Sequence, residues 1–319
     1  MKQQWIERPE GGNELLLRGF IGFALWVGRR VTRCLLLPIT LYFVLRRGPE
    51  RRASRHYLQR VTGQRVYWWH VCKHLLQYAM VGLDRVYLLA ENSLQGFDVR
   101  THGVDQLLDA IDQQRGVLLF GSHVGSFDAL RVFSQLRPDV QLRVVLDLEQ
   151  TPMMTRALNY LNPTLAGGII NARKAGTQTA LAIKEALDQT AVVTLLVDRA
   201  RPGNSVLSAD FLGQPAAFPT APWLLAAALK VPVVLCFGLY RGGSRYDLHF
   251  ELFADALTLQ RGRREADLQQ IIQRYAGRLE QHTRQVPYNW FNFYDFWQKN
   301  EPPADAVAAA DEQQLVRRT

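Results

Sequence analysis

The sequence lacks any cysteine pattern that would build a disulfide framework or a structural zinc site. Its three cysteines are Cys34, Cys72 and Cys236, and no two of them stand in a Cys-x-x-Cys spacing. An odd, unpatterned count is not typical of a disulfide-stabilised secreted domain or of a zinc ribbon. We therefore expect no metal site, and a chain whose bulk faces the cytoplasm.

The sequence also lacks the uninterrupted apolar run of about eighteen residues that a simple membrane-spanning helix requires. Hydrophobic residues make up 48% of the 319 residues and charged residues 21%. This balance excludes a multi-span membrane protein, and it is too apolar for a disordered chain. A sizeable core is expected.

Acidic residues are nearly absent from one segment of the chain. Between Arg29 and Arg65, ten arginines stand against a single acid, Glu50, in a protein of net charge +9. These arginines flank apolar stretches at residues 19–28 and 34–45. Such bracketing is typical of a segment at an anionic membrane surface, where each cation contributes about 1 kcal/mol. Nucleic-acid binding is not expected, because the arginines alternate with apolar rather than polar stretches.

Residues 1–47 are therefore predicted to form membrane-associated apolar helices. Pro38 interrupts the second stretch. Burial of Arg29, Arg30 or Arg33 at the bilayer centre would cost about 2.5–3.5 kcal/mol each. A broken or re-entrant hairpin, or helices that lie in the interface, is favoured over a simple span. The alternative is that these helices pad a soluble core.

The remaining sequence indicates an α/β domain at residues 48–300, followed by a disordered tail at 301–319. Residues 50–90 read as helix, 91–105 as a polar bridge and 199–209 as a polar loop. Strands are predicted at 116–122, 142–148, 167–171, 191–198, 233–240 and 246–253, and helices at 125–136, 151–161, 177–188, 220–230 and 265–285. This alternation predicts a mostly parallel central sheet flanked by helices.

The sharpest local pattern is Phe-Gly-Ser-His-Val-Gly-Ser-Phe-Asp at residues 120–128. His123 follows an apolar strand, at the sheet edge where ligands gather in open α/β sheets. Asp128 is predicted to hold one ring nitrogen, which makes His123 a general base for an attacking hydroxyl. Gly125 and Ser126 are predicted to offer backbone N–H groups to an oxyanion.

Four further residues are candidates for substrate binding. Asp198 and Arg199 end another apolar strand, and the guanidinium can bind a phosphate or a thioester carbonyl. Thr220 is predicted to cap a helix whose N-terminus can receive an anion. Arg173 stands in a basic, glycine-containing loop that can hold an acceptor phosphate or carboxylate. The alternative for Asp198 and Arg199 is an ion pair at the surface. The alternative for the loop of Arg173 is an ordinary solvated loop. The aromatic stretch at 287–297 is predicted to be packing.

Together these pieces resemble the lysophospholipid acyltransferase superfamily and, within it, the bacterial lipid A late-acyltransferase (lauroyl/myristoyl) branch. The family's His-x4-Asp motif matches at His123 and Asp128, its acidic-Arg element at 198–199 and its Phe-Leu-Gly…Phe-Pro-Thr block at 211–220. The stretch at 290–297 is similar to a signature of a sub-branch associated with aryl polyene pathways. The apolar N-terminus is similar to the family's membrane anchor.

The resemblance implies transfer of a fatty acyl group from an acyl carrier protein or coenzyme A thioester to a lipid or lipid-precursor acceptor. It implies no metal and no other cofactor, and a place among membrane lipids at the cytoplasmic face of the bacterial inner membrane. Ser122 stands where many members carry Asn, and Phe-Pro-Thr-Ala-Pro at 218–222 replaces the glycerol branch's Phe-Pro-Glu-Gly-Thr. The acceptor therefore stays open between lipid A-like and aryl polyene-type molecules.

Two other functions fit the same residues. A thioesterase or lipid hydrolase would use the His-Asp pair on water, and a non-enzymatic protein would use the basic segment to bind membranes. No Ser or Cys nucleophile stands beside His123, which favours direct transfer over a covalent acyl-enzyme.

Overall fold

The computed structural model describes residues 14–90, 96–128, 137–148, 152–172, 176–200 and 203–297. Arg173, most of the helix predicted at 125–136 and the tail predicted to be disordered at 301–319 lie outside these residues.

Helices and strands alternate as the sequence predicts over most of the described chain. The helices are α1 Glu14–Val27, α2 Arg29–Arg46, α3 Gly48–Thr62, α4 Trp68–Leu89, α5 Val104–Asp112, α6 Pro152–Leu161, α7 Pro163–Gly167, α8 Gly176–Asp188, α9 Ala221–Leu229 and α10 Arg264–Gln285. The strands are β1 Asp98–His102, β2 Val117–Gly121, β3 Leu142–Leu146, β4 Ile169–Asn171, β5 Val192–Leu196, β6 Val206–Phe211, β7 Gln214–Pro219, β8 Val233–Gly242 and β9 Arg245–Ala254.

Seven strands form one sheet in the order β1-β9-β8-β2-β5-β3-β4. β8 and β9 are antiparallel, and the other five neighbouring pairs are parallel. The antiparallel pair is joined by a tight turn after Gly242, where no helical crossover intervenes. The prediction of a mostly parallel central sheet flanked by helices is confirmed.

The central strand β2 is buried on both faces, which explains its unbroken apolar sequence. Leu118 and Phe120 pack into one core with Trp223 of α9. Val117 and Leu119 point to the opposite core, which α5 covers with side chains such as Ile111. The alternation of side chains along one strand thus builds two hydrophobic layers.

Three strands, β1, β6 and β7, were not expected from the sequence. The predicted polar loop at 199–209 ends in β6, which pairs with β7 in an antiparallel hairpin. The predicted polar bridge at 91–105 contains β1, an edge strand of alternating exposed side chains. In β1 and β6, exposed polar side chains recur along the strand, so the sequence pattern did not indicate a strand. The side-chain amide of Gln273 in α10 accepts from the backbone N–H of Asp210 at 2.8 Å and donates to its carbonyl at 3.0 Å, which fixes the hairpin.

Helix α2 continues through Pro38, so the expected break at this residue is wrong. The chain turns instead at Gly28, whose φ is 83°. Thr32, Leu36, Thr40 and Val44, spaced four residues apart, form the buried stripe of α2. Tertiary packing along this stripe offsets the hydrogen bond that proline removes.

A buried ion-pair network joins α2 to the sheet. The fully buried carboxylate of Asp84 accepts hydrogen bonds from Arg29 Nε at 2.7 Å and Arg33 Nη2 at 2.8 Å. Tyr246 Oη donates to the same carboxylate at 2.7 Å. These two arginines are therefore engaged inside the protein rather than with lipid headgroups, which corrects the sequence interpretation of both.

Among the described residues, no helix combines the length and apolar character needed to cross a bilayer. Many apolar side chains on the two N-terminal helices are nevertheless exposed, and Trp26 reaches 84%. The exposed set consists of Phe20, Phe23, Leu25, Trp26, Val31, Leu35, Leu37, Ile39, Leu41, Tyr42, Phe43 and Leu45. These side chains lie on two consecutive helices, whereas exposed large apolar residues of soluble proteins are usually scattered singly. The alternative that these helices pad a soluble core explains the buried stripe of α2, but it does not explain the exposed apolar side chains.

Candidate active site

His123 lies just beyond the carboxyl end of β2, as the sequence predicts. The loop that carries it crosses to β8, where Gly125 forms a bridge with Gly238. Gly125 has a φ of 66°, and a Cβ atom there would lie 1.9 Å from the Gly238 carbonyl oxygen. Glycine is therefore required at this position for both conformation and space.

The carboxylate that holds His123 belongs to Asp198. His123 Nδ1 lies 2.7 Å from Asp198 Oδ1, and the backbone N–H of His123 donates to Oδ2 at 3.0 Å. The register of the neighbouring parallel strands β2 and β5 places Gly121 opposite Leu196. Two residues further along each chain, the same register brings His123 to Asp198. The two side chains meet because their strands are neighbours, although 75 residues separate them.

Asp128 is engaged elsewhere, so the expected pairing of Asp128 with His123 is wrong. Asp128 Oδ2 accepts a hydrogen bond of 2.6 Å from Arg85 Nε of α4. Among the described residues, Asp128 makes no hydrogen bond to His123. Spacing along the chain suggested the pair, but the long-range strand order supplied a different carboxylate.

Asp198 is fully buried and ionised. Trp290 Nε1 donates to Oδ2 at 3.0 Å, in addition to the two donors of His123. Burial alone would raise the pKa of Asp198, but His123, Arg199 and Trp290 together hold it well below its ordinary value. The carboxylate is thus held in its negatively charged form, and both of its oxygens accept hydrogen bonds.

The environment of His123 favours its neutral form. Burial is the largest cause that lowers the pKa of His123, followed by the positive charge of Arg199, while Asp198 opposes both. The side chain still keeps 30% of its surface exposed. With Nδ1–H directed at Asp198, the tautomer leaves the lone pair of Nε2 for a substrate proton.

The backbone N–H groups expected to form an oxyanion hole are already used. Gly125 N–H donates to the Asn289 carbonyl at 2.8 Å, and Ser126 N–H donates to the Gly238 carbonyl at 2.7 Å. The prediction for both residues is therefore wrong. The loop pairs like a short strand with the chain around Trp290 and with β8, which its sequence does not reveal.

The aromatic segment near the C-terminal end of the described chain packs in the core, as predicted. Trp290 is fully buried between rings such as Tyr57 and Phe211. Its carbonyl lies 3.0 Å from Nε2 of the buried His74. The sequence missed that Trp290 also contacts Asp198, because nothing in an aromatic run marks which indole meets a carboxylate.

The remaining predicted binding residues are placed as follows. Arg199 donates to the Phe291 carbonyl and lies close enough to His123 to lower the pKa of that ring. Thr220 is buried, and its hydroxyl donates to the Ser205 carbonyl at 3.1 Å. Thr220 therefore does not cap α9 with its side chain, and the predicted hydroxyl cap is wrong. The substrate role of Arg199 stays a prediction.

One group of side chains in the described chain has the composition of a metal site. His102, Asp247 and His249 place their ligand atoms within 4.8 Å of one another. Asp247 is already paired with Arg241 at 2.7 Å, and this positive charge opposes a cation. The group lies on β1 and β9, away from His123, so the chemistry at His123 does not depend on it.

A comparison with curated proteins found no significant match. A family model described as bacterial lipid A biosynthesis acyltransferase matches residues 71–299, which is more than half of the chain. This span includes His123, Asp198 and Trp290. The resemblance stated from the motifs is confirmed at the level of the family, and with it the activity of an acyltransferase. The chain belongs to the bacterial lipid A biosynthesis acyltransferase family.

Proposed function

We propose that the protein transfers a fatty acyl group from a thioester donor to the hydroxyl or amine of a lipid-like acceptor, with His123 as general base. One observation carries the proposal: Asp198 holds Nδ1 of His123 at 2.7 Å, beside a side chain that is still partly exposed. This is the arrangement of a base that takes a proton through its other nitrogen. The family match supports the acyl-transfer class.

The reaction proceeds by direct attack. Nε2 of His123 takes the proton of the acceptor group, whose lone pair forms a bond to the thioester carbonyl carbon. The carbonyl π electrons move to oxygen and give a tetrahedral oxyanion. When the carbonyl re-forms, the C–S bond breaks, its electron pair leaves on sulfur, and the imidazolium returns the proton to give a thiol. Asp198 stabilises the transient imidazolium throughout.

The donor is proposed to be an acyl carrier protein or coenzyme A thioester. Both molecules are anionic, and the net charge of +9 favours their approach. The acceptor is proposed to be lipid A-like or aryl polyene-type. Purified protein mixed with each donor in turn, and with extracted membrane lipid, distinguishes the donors by the release of free thiol.

The decisive variant is His123→Ala, compared with His56→Ala as a control on an exposed histidine of α3. We expect His123→Ala to lower acyl transfer by about 10²–10⁴-fold, because general base catalysis contributes that factor. The control should keep normal turnover. Near-normal transfer by His123→Ala would refute the proposal. Rapid release of free fatty acid without any acceptor would instead indicate a hydrolase.

Membrane association at the cytoplasmic face is proposed to use the exposed apolar side chains of α1 and α2. Deletion of residues 1–47 is a poor test, because it would strip the buried Asp84 of both arginines. The double variant Leu37→Gln/Leu41→Gln changes two exposed positions on α2 instead. We expect it to remain folded and to sediment less with anionic vesicles. Unchanged sedimentation would contradict this mode of attachment.

A further inference from the structure

Trp290 joins the aromatic core to the carboxylate that holds His123. Its side chain is fully buried, and its indole Nε1 donates to Asp198 Oδ2 at 3.0 Å. His123 Nδ1 lies 2.7 Å from Oδ1, the other oxygen of the same carboxylate. The indole and the imidazole thus bind the two oxygens of one buried group. A rotation of the carboxylate that loosened one contact would therefore disturb the other.

The backbone around Trp290 is fixed to the loop that carries His123. Phe291 N–H donates to the His123 carbonyl at 2.9 Å, and Gly125 N–H donates to the Asn289 carbonyl at 2.8 Å. The two segments pair in antiparallel fashion, with Trp290 in the middle of one of them. The same short segment therefore holds the backbone of His123 and directs an indole N–H at its carboxylate.

Two helices support this segment from the other side. His74 of α4 places Nε2 3.0 Å from the Trp290 carbonyl, and Ser54 Oγ of α3 lies 2.8 Å from Nδ1 of the same ring. A carbonyl only accepts, so Nε2 carries the proton and Nδ1 accepts from the serine hydroxyl. Burial lowers the pKa of His74 to about 4, which keeps the ring neutral in this role. Hydrogen bonds thus connect α3 and α4 to the backbone of Trp290, whose indole continues to Asp198.

A second buried tryptophan shows what packing alone provides. Trp223 is buried to the same extent as Trp290, but its Nε1 finds no partner among the described residues. Trp223 therefore contributes packing. Trp290 contributes packing and a hydrogen bond to a charged group, which is stronger than a hydrogen bond between neutral groups.

We propose that Trp290 is a positioning residue of the acyltransferase, which fixes the Asp198 carboxylate in the orientation that directs Nδ1–H of His123. The lone pair of Nε2 is thereby left for the proton of the acceptor. This inference rests on the function proposed above. Because Trp290 is fully buried, it acts through Asp198 rather than on a substrate. Its N–H proton stays on the indole throughout, so Trp290 takes no part in the proton transfer.

Two tryptophan-to-phenylalanine variants of the full chain separate the hydrogen bond from packing. Trp290→Phe removes the donor to Asp198, and Trp223→Phe removes an equally buried indole that has no such partner in the described part of the chain. Benzothienylalanine at position 290 keeps the size of the indole and replaces its N–H by sulfur, so it serves if Trp290→Phe is unstable. The measurements are kcat and KM for thiol release from the donor identified above, and the free energy of unfolding in denaturant.

We expect both variants at position 290 to lower kcat by about 10–10²-fold with little change in KM. The reason is that a hydrogen bond to a charged group is lost while no substrate contact changes. Trp223→Phe should lose stability but keep the kcat of the unmodified protein. Combined with Asp198→Asn, Trp290→Phe should add no further loss, because both changes act through one side chain.

The pH profile gives a readout that packing does not move. Burial lowers the pKa of His123, and the charge of Asp198 opposes this effect. The indole N–H neutralises part of that charge, so its loss strengthens the attraction between the carboxylate and the imidazolium. The acid limb of kcat/KM should therefore move to higher pH in Trp290→Phe and stay in place in Trp223→Phe. Both substitutions leave the other charged and titratable groups around the pair unchanged: Arg85, Arg199, Tyr275 and Tyr294.

Several results would overturn the inference: normal kcat in both variants at position 290, equal losses of kcat in Trp290→Phe and Trp223→Phe, an acid limb that does not move, or losses that multiply with that of Asp198→Asn. If His123→Ala kept its activity, the proposed function itself would fail. If His123→Ala lost its activity while the variants at position 290 kept theirs, only the role of Trp290 would fail.

Discussion

Replacement of Asp198 by Asn tests the pair at the centre of the site with almost no change in shape. The carboxylate accepts from three donors: the backbone N–H of His123, its Nδ1–H and Trp290 Nε1–H. An amide has one oxygen, so it can continue to serve the backbone N–H and the indole, which share Oδ2. Its NH2 group then faces Nδ1. The imidazole must shift its proton to Nε2 and can no longer act as a base.

The expected loss follows from this tautomer. In Ser-His-Asp triads the same change lowers kcat by about 10⁴ through the wrong tautomer. A loss of 10²–10⁴-fold, the range expected for a general base, corresponds to about 3–5 kcal/mol of transition-state stabilisation. The remaining activity should also have its acid limb at lower pH, because the negative charge of Asp198 raises the pKa of His123.

The assay is kcat/KM for thiol release between pH 5 and 9, with Asp210→Asn as the control. Asp210 is exposed on β6, and its described hydrogen bonds involve its backbone. The control should behave as the unmodified protein. Near-normal turnover of a folded Asp198→Asn protein would refute the assignment of Asp198 as the partner of His123.

Two further predictions concern stability, both measured by denaturant unfolding. Asp84→Ala leaves Arg29 and Arg33 without their shared carboxylate, and we expect a loss of about 3–5 kcal/mol; a loss below 1 kcal/mol would contradict the buried network. Burial lowers the pKa of His74 to about 4, so the unfolded chain binds more protons than the native state between that value and the ordinary pKa of about 6.5. Stability should therefore fall as pH drops from 7 toward 4, by up to about 3 kcal/mol from this group, and His74→Gln should remove this part of the slope; an unchanged slope would refute it.

Local patterns were enough for much of the architecture. Apolar runs such as residues 116–122 and 191–198 predicted β2 and β5, because a strand buried on both faces needs no alternation. The same reasoning failed for β1, β6 and β7. In β1 and β6, exposed side chains recur among partly or fully buried ones, so no unbroken apolar run marks the strand. His123 was found from its position after a buried strand, and the family followed from the motifs around it.

The sequence alone determined that a histidine would stand at the carboxyl edge of a parallel sheet, in a chain with an apolar, arginine-rich N-terminal segment. Only the tertiary structure decided which carboxylate reaches that histidine, because β2 and β5 become neighbours across a gap of 75 residues. It likewise decided that Asp128 binds Arg85 and that Arg29 turns inward to Asp84. The carbonyls of Asn289 and Gly238 accept hydrogen bonds from the two backbone N–H groups that had been expected to hold an oxyanion. Spacing along a chain specifies local geometry, whereas the partners of a polar side chain depend on which distant elements pack beside it.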